Sequence, residues 1–149
     1  MTEAIKLPPR RARNKNETTG LVVPILAALN GFPWCQVWRN NVGALRDATG
    51  RLLYYGLCPG SSDIVGLVRV DDLHRVRAYR GDATPAAWTT VTPGRFFALE
   101  VKTMGKRPSE SQREFLALVH RFGGFAGWTD SVDGAIAAAQ RARDPRQYQ

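Results

Sequence analysis

The segment RFFALEVK, residues 95–102, decides the fold of this chain. Its apolar run predicts a buried central strand. Side chains alternate across a strand, so Glu100 and Lys102 project from one face while Val101 projects from the other. Two charged groups at the end of an otherwise apolar strand point to a functional site.

A second apolar run begins directly after an acidic residue. Residues 64–70 are rich in β-branched side chains, and Asp63 stands at the head of this run, after a Gly-Ser-Ser turn. Such a run predicts a second buried strand. If the two strands pair, Asp63 and Glu100 converge at one edge of the sheet with Lys102 beside them.

Three helices are indicated by apolar spacing and by capping residues. Apolar residues at helical spacing predict the first over residues 22–29, where Pro24 requires a kink or a late start. Ser109 caps a second helix that ends at Gly123, and Ser131 caps a third that Pro145 stops.

Short apolar runs predict three further strands, at residues 34–39, 52–55 and 125–129. Residues 71–94 predict either a hairpin extension or a surface loop, because they mix charge with Gly and Pro. The resulting order of helix, strands, helix, strand and helix predicts an α/β fold.

The composition favours one folded domain with a polyanionic partner. The chain has 149 residues, with 21 Lys and Arg against 13 Asp and Glu, which gives a net charge of +8. This excess favours nucleic acid first and an anionic membrane second. Basic termini that only aid solubility are the alternative. We expect a flexible basic arm at residues 1–16, a domain at 17–143 and a tail at 144–149.

Several classes of protein are disfavoured by the sequence. The first residues do not resemble a signal peptide, and no apolar run approaches the length of a membrane span. We therefore expect a cytoplasmic protein that does not bind membranes. Cys35 and Cys58 stand alone, without CxxC spacing or a histidine cluster, so neither a disulfide framework nor a zinc site is indicated.

Paired acids beside a lysine favour metal chemistry. Two adjacent carboxylates repel one another unless a cation lies between them. Mg²⁺ fits best, because it takes oxygen ligands and completes its shell with water and substrate phosphate. The alternative is that Glu100 and Lys102 form a solvent-facing ion pair and that Asp63 only caps a turn. That alternative is favoured for an isolated ExK tripeptide. Here the flanking strands and the capped helix favour the metal site instead.

Four segments in order resemble one nuclease family: WRNNVGA at 38–44, PGSSDIVG at 59–66, RFFALEVKT at 95–103 and SESQREF at 109–115. They are similar to the virus-type replication-repair nucleases (VRR-NUC) of the PD-(D/E)xK superfamily, in the stand-alone form typical of phages and viruses. The resemblance spans residues 17–137. It implies an αβββαβ core with a mixed sheet flanked by helices, and metal-dependent hydrolysis of phosphodiester bonds.

The resemblance assigns roles to individual residues. Asp63 and Glu100 match the metal-binding acids, joined by the backbone carbonyl of Val101, and Lys102 matches the catalytic lysine. Gln112 matches a glutamine on the following helix; a capping box with Ser109 is the alternative. Glu17 matches an acid that many superfamily members use to hold metal, although the helix dipole explains it equally well.

Several residues near these motifs are candidates for contact with DNA. Arg39, Asn40 and Asn41 match the family's Arg-Asn segment. Ser61 and Ser62 precede Asp63, and Lys106 and Arg107 follow Lys102. The alternatives are ordinary turn chemistry for the asparagines and solvated charges for the two basic residues after Lys102. The insertion at residues 71–94 is a candidate for substrate recognition or dimer formation, or a passive loop.

Together these features predict a Mg²⁺-dependent DNA endonuclease, with Mn²⁺ able to substitute. The resemblance suggests selectivity for branched, flap or Holliday-junction DNA in replication, repair or recombination. A homodimer is expected, because a domain with one site must pair to cut two strands symmetrically. The alternatives are a restriction-like or general nuclease, a non-catalytic DNA-binding module, and an interaction protein.

Overall fold

The computed structural model describes residues 18–79 and 85–148. A π-helical segment, Thr18–Val22, precedes helix α1, Val23–Asn30. The other two α-helices are α2, Glu110–Arg121, and α3, Val132–Arg143. A 3₁₀ helix, Pro145–Tyr148, follows. The strands are β1 Cys35–Arg39, β2 Gly43–Arg46, β3 Leu52–Tyr55, β4 Ile64–Arg69, β5 His74–Tyr79, β6 Pro85–Val91, β7 Gly94–Val101 and β8 Phe125–Thr129.

The central sheet has four strands in the order β1-β4-β7-β8. β1 with β4 and β4 with β7 are antiparallel, whereas β7 and β8 run parallel. The predicted α/β class is therefore confirmed, with a mixed sheet and three α-helices among the described residues. The two strands expected to pair, β4 and β7, do pair, with Ile64 opposite Leu99.

Helices cover the two faces of the sheet unequally. On one face, Ile64, Leu99 and Val101 pack in the main core together with residues of α1 and α3. On the other face, Ala98 of β7 packs in a smaller cluster with Val119 of α2. Because side chains alternate along β7, Glu100 shares the α2 face with Ala98.

Two hairpins leave the sheet at opposite ends. β2 and β3 connect β1 to β4 and so rise from the end where β4 begins. β5 and β6 connect β4 to β7 at the other end. The hairpin is thus the correct alternative of the two predicted for residues 71–94, of which residues 80–84 lie outside the described part.

The sequence did not predict strand β2. Its four residues, GALR, carry no clear alternation, and the strand forms because the chain is turned back onto β3. Asp47 closes that turn, since its Oδ1 accepts hydrogen bonds from the backbone N–H groups of Thr49 and Arg51, each at 2.9 Å. A side chain that satisfies turn donors in this way fixes the hairpin register.

Prolines mark the start of the first helix and the end of the last one. Pro24 lies in the first turn of α1, where proline is tolerated, and the π-helical segment Thr18–Val22 runs directly into this turn. Helix α3 ends at Arg143, before Pro145, as predicted. Arg95 donates from Nη1 to the carbonyl oxygens of Ala142 and Asp144 at 2.7 and 3.1 Å, which satisfies the end of α3.

Within residues 18–79 and 85–148, no helix has the length and apolar character needed to cross a membrane. The predicted basic arm, residues 1–16, and the candidate metal ligand Glu17 lie outside the described residues.

Candidate active site

The structure brings Asp63 and Glu100 to neighbouring positions at one edge of the sheet. Ile64 pairs with Leu99, so the next residues along the two strands are Asp63 and Glu100. The carboxylate of Asp63 accepts a hydrogen bond at its Oδ2 from the backbone N–H of Val101, at 3.0 Å. This contact fixes the Asp63 side chain against the end of β7.

The turn before Asp63 is tied to the end of β1 by Asn40. The backbone N–H of Asn40 donates to the Asp63 carbonyl at 2.8 Å. Its side-chain Nδ2 donates to Ser61 Oγ at 2.8 Å and to the Ser62 carbonyl at 2.9 Å. These bonds give Asn40 a structural role, because its amide donors hold the turn that presents Asp63; its contact with DNA stays a prediction.

Gly60 lets this turn approach helix α2. Its φ of +85° is a conformation that side chains rarely adopt, and a Cβ there would lie 2.9 Å from Cβ of Ser111. Only glycine satisfies both conditions without a shift of the helix. The turn carrying Asp63 and the first turn of α2 are thus packed directly together.

Glu100 is the most buried charged residue of the site, with 1% of its surface exposed. Its Oε1 accepts hydrogen bonds from Lys102 Nζ, at 2.5 Å, and from Gln112 Nε2. Lys102 is also largely buried. The geometric prediction from strand alternation holds, since Glu100 and Lys102 emerge on the same face of β7 and contact each other.

Gln112 forms the capping box that the sequence offered as an alternative, and it also contacts Glu100. Its Oε1 accepts from the backbone N–H of Ser109 at 2.8 Å, and the Ser109 hydroxyl accepts from the Gln112 backbone N–H. These two bonds form a capping box at the start of α2. Its Nε2 remains available and donates to Glu100. The cap therefore fixes the orientation of the amide that contacts the site.

Burial raises the pKa of Glu100 to about 7, and the charge of Asp63 adds to this effect. The hydrogen bond and the positive charge of Lys102 oppose it. A carboxyl group with this pKa changes its charge near neutral pH and gains strongly from a nearby cation. A strongly perturbed acid next to a second acid is typical of functional sites.

The donor set fits a divalent cation. Among the described residues, Oε2 of Glu100 is buried and has no hydrogen-bond partner. The carboxylate of Asp63 lies beside it, and the two acids offer oxygen ligands of the kind that Mg²⁺ prefers. No cluster of three or more His, Cys, Asp and Glu occurs in the described ranges. Mg²⁺ commonly needs only one or two carboxylates from the protein, because water and phosphate supply the rest.

The remaining DNA-contact candidates are placed as follows. Arg39 and Asn41 lie at the end of β1, the same edge of the sheet as Asp63, and both have contacts within the protein. Lys106 and Arg107 are exposed in the loop after β7. Ser62 is only 1% exposed, and its Oγ, like Oε2 of Glu100, is buried without a hydrogen-bond partner among the described residues; its contact with DNA stays a prediction.

The four segments singled out in the sequence each have a part at this end of the sheet. Residues 38–44 include the end of β1, residues 59–66 lead into β4, residues 95–103 run along β7 and past its end, and residues 109–115 begin α2. In contrast, the β5–β6 hairpin leaves the far end of β4, about 20 Å away at the rise of a six-residue strand. The described residues of the insertion therefore begin and end at the end of the sheet opposite to Asp63 and Glu100.

Sequence reasoning missed Trp128. It is the penultimate residue of β8, a half-exposed side chain paired in register with Glu100, and the guanidinium of Arg107 lies 5.6 Å from its ring centre. A tryptophan at the carboxyl end of a parallel strand, next to the strand with the acids, was the available signal.

Comparisons of the chain with protein-family models, with curated proteins and with solved structures each found no match.

Proposed function

We propose that this protein is a Mg²⁺-dependent DNA endonuclease of the VRR-NUC type, with a PD-(D/E)xK core. The observation that carries the proposal is the group of Asp63, Glu100, Lys102 and Gln112 at one sheet edge. Lys102 and Gln112 both donate to Glu100, and Asp63 accepts from the backbone N–H of Val101. The four family-like segments that meet there support the same assignment.

Each residue of the group has a distinct part in this proposal. Asp63, Glu100 and the backbone carbonyl of Val101 hold Mg²⁺, with Mn²⁺ able to replace it and Glu17 as a candidate additional ligand. The bound metal lowers the pKa of a coordinated water and neutralises charge that develops on the phosphate. Lys102 orients the nucleophile or stabilises developing negative charge. Gln112 is a positioning residue that holds Oε1 of Glu100 and leaves Oε2 free.

The paired acids argue against a DNA-binding module without catalysis. A protein that only binds DNA needs positively charged side chains. Buried carboxylates that face the phosphates would oppose binding. Burial beside Asp63 raises the pKa of Glu100, so the ionised form of Glu100 costs the folded protein free energy. A bound cation would offset that cost. Two acids placed together despite this free-energy cost are expected where they bind a metal.

DNA as the substrate rests on the net charge of +8 and on the resemblance. Branched, flap or Holliday-junction DNA is the proposed substrate class, acted on in the cytoplasm. The proposed partner in solution is a second copy of the chain. The β2–β3 hairpin offers an apolar surface for it, since Leu45 and Leu53 are cross-strand neighbours and both are exposed.

Cleavage assays with defined DNA structures test this proposal. The purified protein is incubated with labelled linear duplex, flap and four-way-junction DNA in Mg²⁺, Mn²⁺ or EDTA. We expect metal-dependent cleavage that Asp63→Ala and Lys102→Ala abolish, whereas Glu114→Ala, which removes an exposed acid of α2, cleaves as wild type does. Cleavage that persists in EDTA or in Asp63→Ala contradicts the mechanism. Binding without cleavage of any substrate favours a non-catalytic module.

A further inference from the structure

A stacked pair, Arg107 and Trp128, lies beside the catalytic group. Glu100 and Trp128 are partners in the parallel pairing of β7 and β8, so their side chains emerge on the same face of the sheet. Trp128 is 41% exposed, and the Arg107 guanidinium lies 5.6 Å from the centre of its ring. This distance is within the range of a cation–π interaction.

The loop that carries Arg107 is held in place on both sides. The backbone N–H of Lys106 donates to the Thr103 carbonyl at 3.0 Å. After Arg107, the buried Pro108 accepts a hydrogen bond from Arg113 Nη1 at 2.9 Å. A residue before proline is also restricted to extended backbone conformations. Arg107 therefore follows a hydrogen-bonded turn and precedes a buried proline, and its guanidinium lies over the ring of Trp128.

Stacking leaves the guanidinium ready to bind an anion. The N–H groups of arginine lie in the guanidinium plane, so a face laid on an aromatic ring does not consume them. Two of these groups in parallel match two oxygens of a phosphate. Holding the side chain in advance reduces the conformational entropy that binding would otherwise cost.

We propose that Arg107, held on the ring of Trp128, is a preformed binding site for a DNA phosphate next to the one that is cut, so that the substrate crosses the sheet edge over β8. Trp128 is a positioning residue that acts through Arg107. The inference rests on the proposed function in taking DNA as the substrate and the Glu100 edge as the place of cleavage.

Binding measured in EDTA tests the site separately from catalysis. Fluorescence anisotropy with a labelled duplex gives the Kd at several salt concentrations for the wild type and for Arg107→Ala. The matched control is Arg121→Ala, which removes the same charge from another exposed arginine stacked on an aromatic ring, Phe122. That arginine lies at the far end of α2, about 14 Å along the helix from Gln112.

We expect Arg107→Ala to weaken binding at least about tenfold, the scale of one lost charged hydrogen-bond pair, and to lower the salt slope by about one. Arg121→Ala changes the Kd less than about twofold, because its charge lies away from the DNA path. Arg107→Lys keeps the charge but not the stacked, two-pronged contact, so it recovers only part of the affinity.

The role of Trp128 is tested by variants at this position with and without an aromatic ring. Trp128→Ala weakens binding in the same direction as Arg107→Ala, Trp128→Phe restores most of it, and the double variant Arg107→Ala/Trp128→Ala binds no worse than Arg107→Ala. Thermal unfolding of each variant shows whether the fold is kept, and Trp128→Leu, which keeps an apolar side chain but removes the ring, tests the stacking role if Trp128→Ala unfolds.

The possible outcomes separate this inference from the proposed function. Arg107→Ala that binds as tightly as Arg121→Ala, or losses that add fully in the double variant, overturn the phosphate site while leaving cleavage by the wild type intact. Binding that depends on Arg107 without any cleavage supports the phosphate site and overturns the nuclease. A wild-type protein that neither binds DNA in EDTA nor cleaves it in Mg²⁺ overturns both.

Discussion

Gln112 connects the carboxylate of Glu100 to the first turn of α2. Its Oε1 accepts a hydrogen bond from the backbone N–H of Ser109 at 2.8 Å, while its Nε2 donates to Glu100 Oε1. One amide therefore caps a helix and orients a buried acid. The start of α2 and the end of β7 are coupled through a single side chain.

Changing Gln112 to Glu separates these two roles. Glutamate keeps the capping box, because its carboxylate can accept from the Ser109 N–H. It loses the donor to Glu100 and places two acids in contact, which raises the pKa of the pair. We expect the rate of DNA cleavage to fall at least about tenfold, as for loss of one positioned group. Single-turnover cleavage and thermal unfolding measure the two effects.

Ser109→Ala is the matched control for the cap alone. It removes a cap hydrogen bond and should lower the free energy of unfolding by about 1 kcal/mol. Its cleavage rate should stay within a few-fold of wild type, since Gln112 Nε2 still reaches Glu100. A Gln112→Glu variant that cleaves as fast as Ser109→Ala would show that the contact with Glu100 has no part in the reaction.

The raised pKa of Glu100 predicts how stability depends on pH without metal. The folded-state pKa is about 7 against an ordinary value of 4.5, so the folded protein holds this proton more tightly than the unfolded chain. The stabilising contribution is complete below pH 4.5 and is lost as the pH rises to about 7. It amounts to about 3 kcal/mol at 1.36 kcal/mol per pKa unit.

Glu100→Gln tests this dependence. Unfolding temperatures in EDTA at pH 5 and pH 8 should differ less in this variant than in the wild type, because the buried group no longer ionises. Glu114→Gln, a change of the same type at an exposed position of α2, should retain the wild-type difference. Equal pH dependence in all three proteins would mean that the ionisation of Glu100 does not affect stability.

Much of the site could be predicted because it follows from local rules. Alternation along a strand places Glu100 and Lys102 on one face, and pairing of two apolar strands brings Asp63 to the same edge. These relationships require only the sequence of two neighbouring strands. The α/β class followed in the same way from the order of apolar runs.

Other features depend on distant parts of the chain and could not be predicted. Asn40 is a structural residue because the loop at residues 40–62 folds back onto it, and Ser62 is buried for the same reason. Strand β2 exists because Asp47 closes its hairpin. The choice between a capping box and a site role for Gln112 was never exclusive, since an amide has a donor and an acceptor.

The exposed β2–β3 hairpin predicts how the proposed homodimer responds to charge. Leu45→Asp and Leu53→Asp place a charge on an apolar surface, and we expect each to shift the protein from dimer to monomer in size-exclusion chromatography with light scattering. Leu73→Asp is the control, since Leu73 is also exposed but precedes the remote β5–β6 hairpin. If both hairpin variants remain dimeric, the dimer interface lies elsewhere.

The carboxylate of Asp63 tests the central claim most directly. Asp63→Asn keeps an oxygen that can accept from the Val101 N–H and removes only the charge, so the variant should fold like the wild type. The measurement is the single-turnover rate of DNA cleavage in Mg²⁺ by the wild type and by Asp63→Asn. Thermal unfolding first shows that the two proteins have equal unfolding temperatures. We predict that Asp63→Asn loses at least about a hundredfold in rate, because a metal contributes several kcal/mol to the stabilisation of the transition state. A folded Asp63→Asn protein that cleaves DNA at the wild-type rate would contradict the account.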